Sequence, residues 1–147
     1  MKITKVTKKY FSDWVILGQE FWPRHSAEDI KKDFKRMLDS KNERSFVCID
    51  NEEPIGFINL AIRTDYVEGS KTNPVGYLEG IYVKKAYRKK GIAKMLFKEA
   101  EKWFKTKKVR EIGSDAMVQN VVSQKFHKSL SFKKGEILIH YIKKISP

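Results

Sequence analysis

A mixed α/β domain with a mostly antiparallel sheet, extended by one parallel strand-helix-strand unit, is what the sequence predicts. Three observations carry that prediction. Two strand-like runs, Ser45 to Asp50 and Ile55 to Arg63, flank the turn signal Asn51-Glu52-Glu53-Pro54 and read as an antiparallel hairpin. A third run, Tyr77-Leu78-Glu79-Gly80-Ile81-Tyr82-Val83, leads through a basic, glycine-containing turn into a helix with apolar residues at Ile92, Ala93, Leu96, Phe97, Ala100, Trp103 and Phe104. Val109 to Asp115 then reads as a strand again, and such a strand-helix-strand succession is expected to be parallel and right-handed.

The remaining elements follow from local signals. Residues 2 to 7 alternate and predict a first edge strand. Ser12 reads as the N-cap of a short helix that packs through Trp14, Leu17 and Phe21 and stops near Pro23. Ser26-Ala27-Glu28-Asp29 has the form of a capping box and opens a second helix with Ile30, Phe34, Met37 and Leu38 on one face. Between the two helices, Trp22 and His25 lie on an irregular turn, as half-buried structure or as the lip of a site. The polar stretch Thr64 to Val75, with Tyr66-Val67-Glu68-Gly69 in it, is longer than a hairpin connection needs, and long loops are where binding groups tend to sit. Asn120 to Leu130 is expected to be helical with Val121, Phe126 and Leu130 in the core. Glu136 to Ile142 is expected to be a last strand, apolar on both faces from Ile137 onward.

At 147 residues the chain is expected to form a single domain, 1–147. Its apolar fraction of 41%, with 12% aromatics, argues for a packed core. No signal peptide or membrane span is legible, so a soluble cytoplasmic protein with no membrane partner is expected. The one cysteine, Cys48, lies in an apolar strand and reads as core. The formal charge of +13 raises the question of a nucleic-acid partner. Its lysines are spread along the whole chain and no nucleic-acid module is recognisable, so a solvated basic surface with one functional patch is the favoured reading and no nucleic acid is expected.

That patch is the turn before the third helix. The first-turn amides of a helix have no intrahelical partner and carry the positive end of its dipole, which suits anionic phosphate. Gly91, lacking Cβ, lets such a group approach. In so basic a chain the acids near the site are the informative residues. Glu79 precedes the turn and Asp115 ends the following strand, so both are expected to open on the crevice where an α/β sheet binds its ligand. Tyr66 and Glu136 are expected to join them, and carboxylates beside aromatic rings suit a polycation with apolar ring faces.

The run Arg88-Lys89-Lys90-Gly91-Ile92-Ala93 resembles the Arg/Gln-x-x-Gly-x-Gly/Ala pyrophosphate loop of the GNAT superfamily of acyl-CoA-dependent N-acetyltransferases. Its context is similar too, with Glu79-Gly80-Ile81-Tyr82-Val83 before it and a helix after Asn120. Ser12-Asp13-Trp14, Phe21-Trp22, Tyr66-Val67-Glu68-Gly69, Leu78 to Val83 and Ser114-Asp115-Ala116 narrow the resemblance to the aminoglycoside 6′-N-acetyltransferases. The resemblance implies a GNAT fold and transfer of an acetyl group from acetyl-CoA, without a metal, to the 6′-amine of an aminoglycoside. It places acetyl-CoA on the backbone of Ile81, Tyr82 and Val83, on Arg88, Lys89, Lys90, Gly91, Ile92 and Ala93, and on Asn120. It places the aminoglycoside on Trp22, His25, Tyr66, Glu79, Asp115 and Glu136.

Glu79, or a water it holds, is then the expected proton acceptor, with Asp115 orienting the aminosugar. Two positions depart from the commonest GNAT pattern. His127 stands where a tyrosine often protonates the departing thiolate, and imidazole can donate a proton there or simply pack. Ser131 replaces the glycine that usually ends this helix. A GNAT enzyme for another amine, a polyamine or a protein N-terminus, is the alternative. The apolar run at 137 to 142 further implies pairing with another chain, as a homodimer.

Overall fold

Five strands form one sheet in the order β1-β2-β3-β4-β5 in the computed structural model, which describes residues 1–147. They are β1 (Lys2–Lys5), β2 (Glu43–Asp50), β3 (Glu53–Arg63), β4 (Val75–Val83) and β5 (Ile112–Ser114). The first four pair antiparallel and β5 pairs parallel to β4, as the patterning predicts. Helices α1 (Phe11–Phe21) and α2 (Ala27–Asp39) connect β1 to β2, α3 (Ile92–Thr106) connects β4 to β5, and α4 (Val121–Ser129) follows. The chain resolves into two compact units, residues 1–115 and 116–147. The sheet and the first three helices belong to the first unit.

The alternation of the central strands explains how that unit buries both faces. Val47, Ile49 and Phe57 meet Trp14, Val15, Leu17, Ile30, Phe34 and Met37 of α1 and α2. The opposite face meets α3, whose apolar stripe is buried at Ile92, Leu96, Phe97, Ala100, Trp103 and Phe104. Cys48 is fully buried, and burial pushes its thiol pKa up, which fits packing rather than chemistry. One polar knot crosses the first core. The Oδ1 of buried Asn59 accepts from Trp14 Nε1 at 3.1 Å and from Ser45 Oγ at 2.8 Å. A buried donor left without an acceptor costs about 1–3 kcal/mol, so this carbonyl fixes α1 on the sheet.

Several boundaries differ from the sequence reading, each for a local reason. Ser12 is not the N-cap of α1, because a 3-10 turn at Lys8–Tyr10 runs directly into the helix and Tyr10 takes the cap position. Ser26 does cap α2, accepting from Asp29 N at 3.1 Å. The turn of the hairpin is tighter than expected, since Asn51 and Glu52 both adopt positive φ and let β3 begin at Glu53. The strand expected from Val109 shrinks to Ile112–Ser114. Lys108 turns left-handed (φ 58°) and Val109 N–H returns to Phe104 O at 3.1 Å, so these residues terminate α3 instead.

In the second unit α4 has no fully buried residue, and Val121, expected in a core, is exposed. Ser131 does take the left-handed conformation (φ 65°) that the helix end demands. The expected strand from Glu136 to Ile142 is not formed, and residues 132–147 carry no helix or strand. A strand needs a neighbouring strand for its backbone groups, and this unit contains none. No helix is long and apolar enough to cross a membrane.

Candidate active site: an opening between two parallel strands

The site begins where pairing stops. β4 runs beside β3 over its whole length, but beside β5 only at Gly76, Tyr77 and Leu78, opposite Ile112, Gly113 and Ser114. From Glu79 to Val83 the β5-side edge of β4 therefore has no strand partner, and its backbone groups are available to a ligand apart from Val83 O, which the Arg88 side chain takes. Glu79 marks the transition. The β3–β4 register passes from Leu60–Leu78 to Asn59–Gly80, so Glu79 is the extra residue of a β-bulge, with its side chain 31% exposed. The next residue must be glycine, because a Cβ on Gly80 would come within 2.9 Å of the Trp22 ring.

The basic turn closes the lower end of this edge. Arg88 Nε donates to Val83 O at 2.9 Å, tying the turn to the end of β4. Lys89 (φ 63°) and Gly91 (φ 79°) both adopt positive φ, and Gly91 is the N-cap of α3. Nothing lies within 4 Å of where a Gly91 Cβ would stand, and the first turn of α3 carries no acid. An open, unblocked helix N-terminus with lysines beside it fits a phosphate group, and the unpaired β4 edge above it fits an amide-bearing arm. Both features suit CoA. The Tyr82 hydroxyl is engaged with Glu20 Oε2 at 2.9 Å, which leaves its backbone as the part open to a ligand.

The two acids expected at the crevice are tied into one chain of contacts. Arg63, at the end of β3, donates from Nη2 (2.8 Å) and Nε (3.3 Å) to Glu79 Oε1. Its guanidinium carbon lies 3.4 Å from the centre of the Tyr77 ring. The Tyr77 hydroxyl in turn donates to Asp115 Oδ2. Burial first, and then the Asp115 hydrogen bond, push the Tyr77 pKa up, so this hydroxyl stays a donor at any physiological pH.

The other expected residues are placed less uniformly. Trp22 is half-buried, packed on Phe21, Phe34 and Phe57 and against Gly80, so most of its ring serves the core. His25 is exposed on the following turn, where its N–H donates to Trp22 O. Tyr66 is 75% exposed at the tip of the loop after β3. In the second unit, Asn120 Oδ1 caps α4 by accepting from Ser123 N at 3.0 Å. His127 Nδ1 lies 2.7 Å from Ser123 O, which fixes its proton on Nδ1 because a carbonyl only accepts. Donating a proton from Nε2 therefore requires the imidazolium form. Glu136 is exposed on the segment that forms no strand.

Sequence reasoning missed two residues here. Arg63 reads as an ordinary strand end, and its partner is 16 positions away. Glu111 reads as part of a strand, yet its Oε1 accepts from Lys71 N (2.8 Å), Thr72 N (2.7 Å) and Thr72 Oγ1, stapling the Tyr66 loop to the start of β5.

The model of the acetyltransferase (GNAT) family matches residues 10–132, and the chain belongs to that family. Within it, an aminoglycoside N(6′)-acetyltransferase type 1 from Salmonella enteritidis is 35% identical, covering 98% of this chain and 99% of the relative. The enzyme of the same name from Acinetobacter haemolyticus is 34% identical over 99% of each. Among solved structures, the apo aminoglycoside 6′-N-acetyltransferase AAC(6′)-IG from Acinetobacter haemolyticus superposes with a TM-score of 0.94 at 34% identity, covering 99% of this chain and all of that one. AAC(6′)-Iy bound to the bisubstrate analogue CoA-S-monomethyl-acetylneamine gives the same TM-score and identity over 98% of each chain.

The Glu111 staple yields a prediction. Hydrogen bonds from Thr72 and Lys71 hold its carboxyl below the ordinary carboxylate range. A depressed folded pKa means that the staple is intact at neutral pH and is lost only as pH falls through that lowered value. Glu111→Ala should accordingly speed tryptic cleavage after Lys71 at pH 8, read by mass spectrometry, while cleavage within α3 is unchanged.

Proposed function

We propose that this protein transfers the acetyl group of acetyl-CoA to the 6′-amine of aminoglycoside antibiotics, and that this acetylation confers resistance. The observation that carries the reading is the opening of β4 from β5, with Glu79 on the bulge at its head and Asp115 just beyond its other strand. Acetyl-CoA supplies an activated thioester. The β4 edge from Ile81 to Val83 holds its arm, and the Arg88–Ala93 turn and the α3 N-terminus hold its phosphates; in the second unit, the family resemblance assigns Asn120 to the cofactor. A backbone N–H of the Glu79–Val83 edge polarises the thioester carbonyl.

A protonated amine has no lone pair for attack, so Glu79, directly or through a water, accepts its proton. The nitrogen then forms the new C–N bond as the C–S bond breaks, and the sulfur leaves with the electron pair. The family resemblance assigns protonation of that thiolate to His127 of the second unit. Asp115, held by Tyr77, orients the aminosugar, with Trp22, His25 and Tyr66 around its rings; the family resemblance assigns Glu136 of the second unit to the substrate as well. These acids oppose the general positive charge of the protein where the polycation must bind. Residues 1–147 act as one acetyltransferase domain, a reading supported by a family match that runs through both compact units. Dependence on acetyl-CoA is consistent with a cytoplasmic location.

The test is release of CoA thiol from acetyl-CoA with several acceptors. Kanamycin and tobramycin should support turnover, whereas an aminoglycoside with a 6′-hydroxyl should not. Turnover confined to spermidine or to a basic peptide would instead assign the enzyme to another amine.

The same reading includes a homodimer. The segment from Ile137 to Ile142 is apolar on both faces, carries no pairing within its own chain, and leaves Ile142 99% exposed. A second copy offers the same unpaired apolar segment in return, which is what a two-fold interface requires. Sedimentation should give a dimer for the wild type and a monomer for Ile139→Lys/Ile142→Lys; a monomeric wild type at micromolar concentration would refute the pairing.

A further inference from the structure

An arginine paired with one of two acids that are to receive a polycation opposes charge complementarity, and that makes Arg63 the anomalous residue of the site. A surface ion pair of this kind is ordinarily worth about 0–1 kcal/mol and would pass as decoration. The geometry is more specific than that. Arg63 lies over the ring of Tyr77, which is only 7% exposed, and turns two N–H groups to the same oxygen, Oε1, of Glu79. No protein group is hydrogen-bonded to Oε2. A planar, weakly hydrated guanidinium can stack and hydrogen-bond in its plane at once, which an ammonium does not do. Arg63 is the one side chain hydrogen-bonded to the Glu79 carboxylate, so it is the group that fixes where that carboxylate stands.

We propose that Arg63 is a positioning residue for acetyl transfer: it holds Glu79 through Oε1 so that Oε2 stands ready for the proton of the substrate amine. This inference rests on the reading of Glu79 as proton acceptor. In the step concerned, one ammonium N–H bond breaks and its proton passes to Oε2, leaving the nitrogen lone pair for the thioester carbonyl carbon. Arg63 itself exchanges no proton and touches no reacting atom. Tyr77 acts as the platform beneath it, and by donating to Asp115 Oδ2 it supports the second acid in the same manner.

The experiment compares wild type, Arg63→Met and Arg63→Lys in the thiol-release assay with kanamycin, at pH 6.5 and pH 9. Misplacing a reacting group by about 1 Å can cost on the order of 100-fold, so Arg63→Met should lower kcat roughly 10- to 100-fold at pH 6.5 while KM stays within about threefold. Arg63→Lys, which retains one donor, should recover part of kcat. At pH 9 more of the amine is already unprotonated, so the defect of Arg63→Met should shrink. Wild-type kcat in Arg63→Met, a fall in KM showing that Arg63 only competed with the substrate's charge, or an equal defect at both pH values would each overturn the inference. A loss in Arg63→Met caused by misfolding would appear as a changed melting temperature, and Arg63→Lys then decides. If the wild type releases no thiol with any 6′-amino compound, the functional reading fails and the inference falls with it.

Discussion

The structure depends on a mismatch in strand pairing. β4 is satisfied by β3 along its full length but by β5 for only three residues. Backbone groups left unpaired inside a protein are costly, so the unpaired edge from Glu79 to Val83 must face solvent or a ligand. The features that surround it follow from keeping it open. The bulge at Glu79 turns a carboxylate outward, glycine at position 80 lets Trp22 lie close beneath, and the Arg88 bond to Val83 O holds the basic turn at the end of the strand. Each of these would lose its purpose if β5 continued alongside β4.

Charge organises the site on a second scale. With 31 basic and 18 acidic residues, the protein as a whole repels a polycation. Screening limits that repulsion to a Debye length of about 8 Å at physiological ionic strength, so the nearest acids decide whether a cationic substrate binds. Glu79 and Asp115 therefore carry more weight than the scattered lysines, and the chain through Arg63 and Tyr77 gives both acids a fixed support. An anionic cofactor imposes the opposite requirement, and the lysines and the open N-terminus of α3 agree with it in sign.

Much of this was legible in the sequence because it is local. The capping of α2 by Ser26, the β2–β3 hairpin and the strand-turn-helix at Glu79 to Ala93 are each written in a few consecutive residues. What was not legible depends on distant partners or on unusual backbone. Glu111 holds residues some 40 positions earlier, and Arg63 reaches across a bulge that no pattern announces. Lys89 and Lys108 adopt left-handed conformations that side chains of their type rarely signal. The run at Ile137 to Ile142 was correctly read as apolar, but a strand is a property of two segments, and its own unit provides no second one.

The central claim is that the parted edge of β4 and the first turn of α3 together receive the cofactor. Hydrogen–deuterium exchange with and without saturating CoA measures this directly. The account predicts slowed exchange at the amides of Glu79 to Val83 and Gly91 to Met95, with no change at Arg44 to Phe46 or Trp103 to Lys107. Protection of the latter residues alone, with the β4 edge exchanging as freely as before, would contradict it.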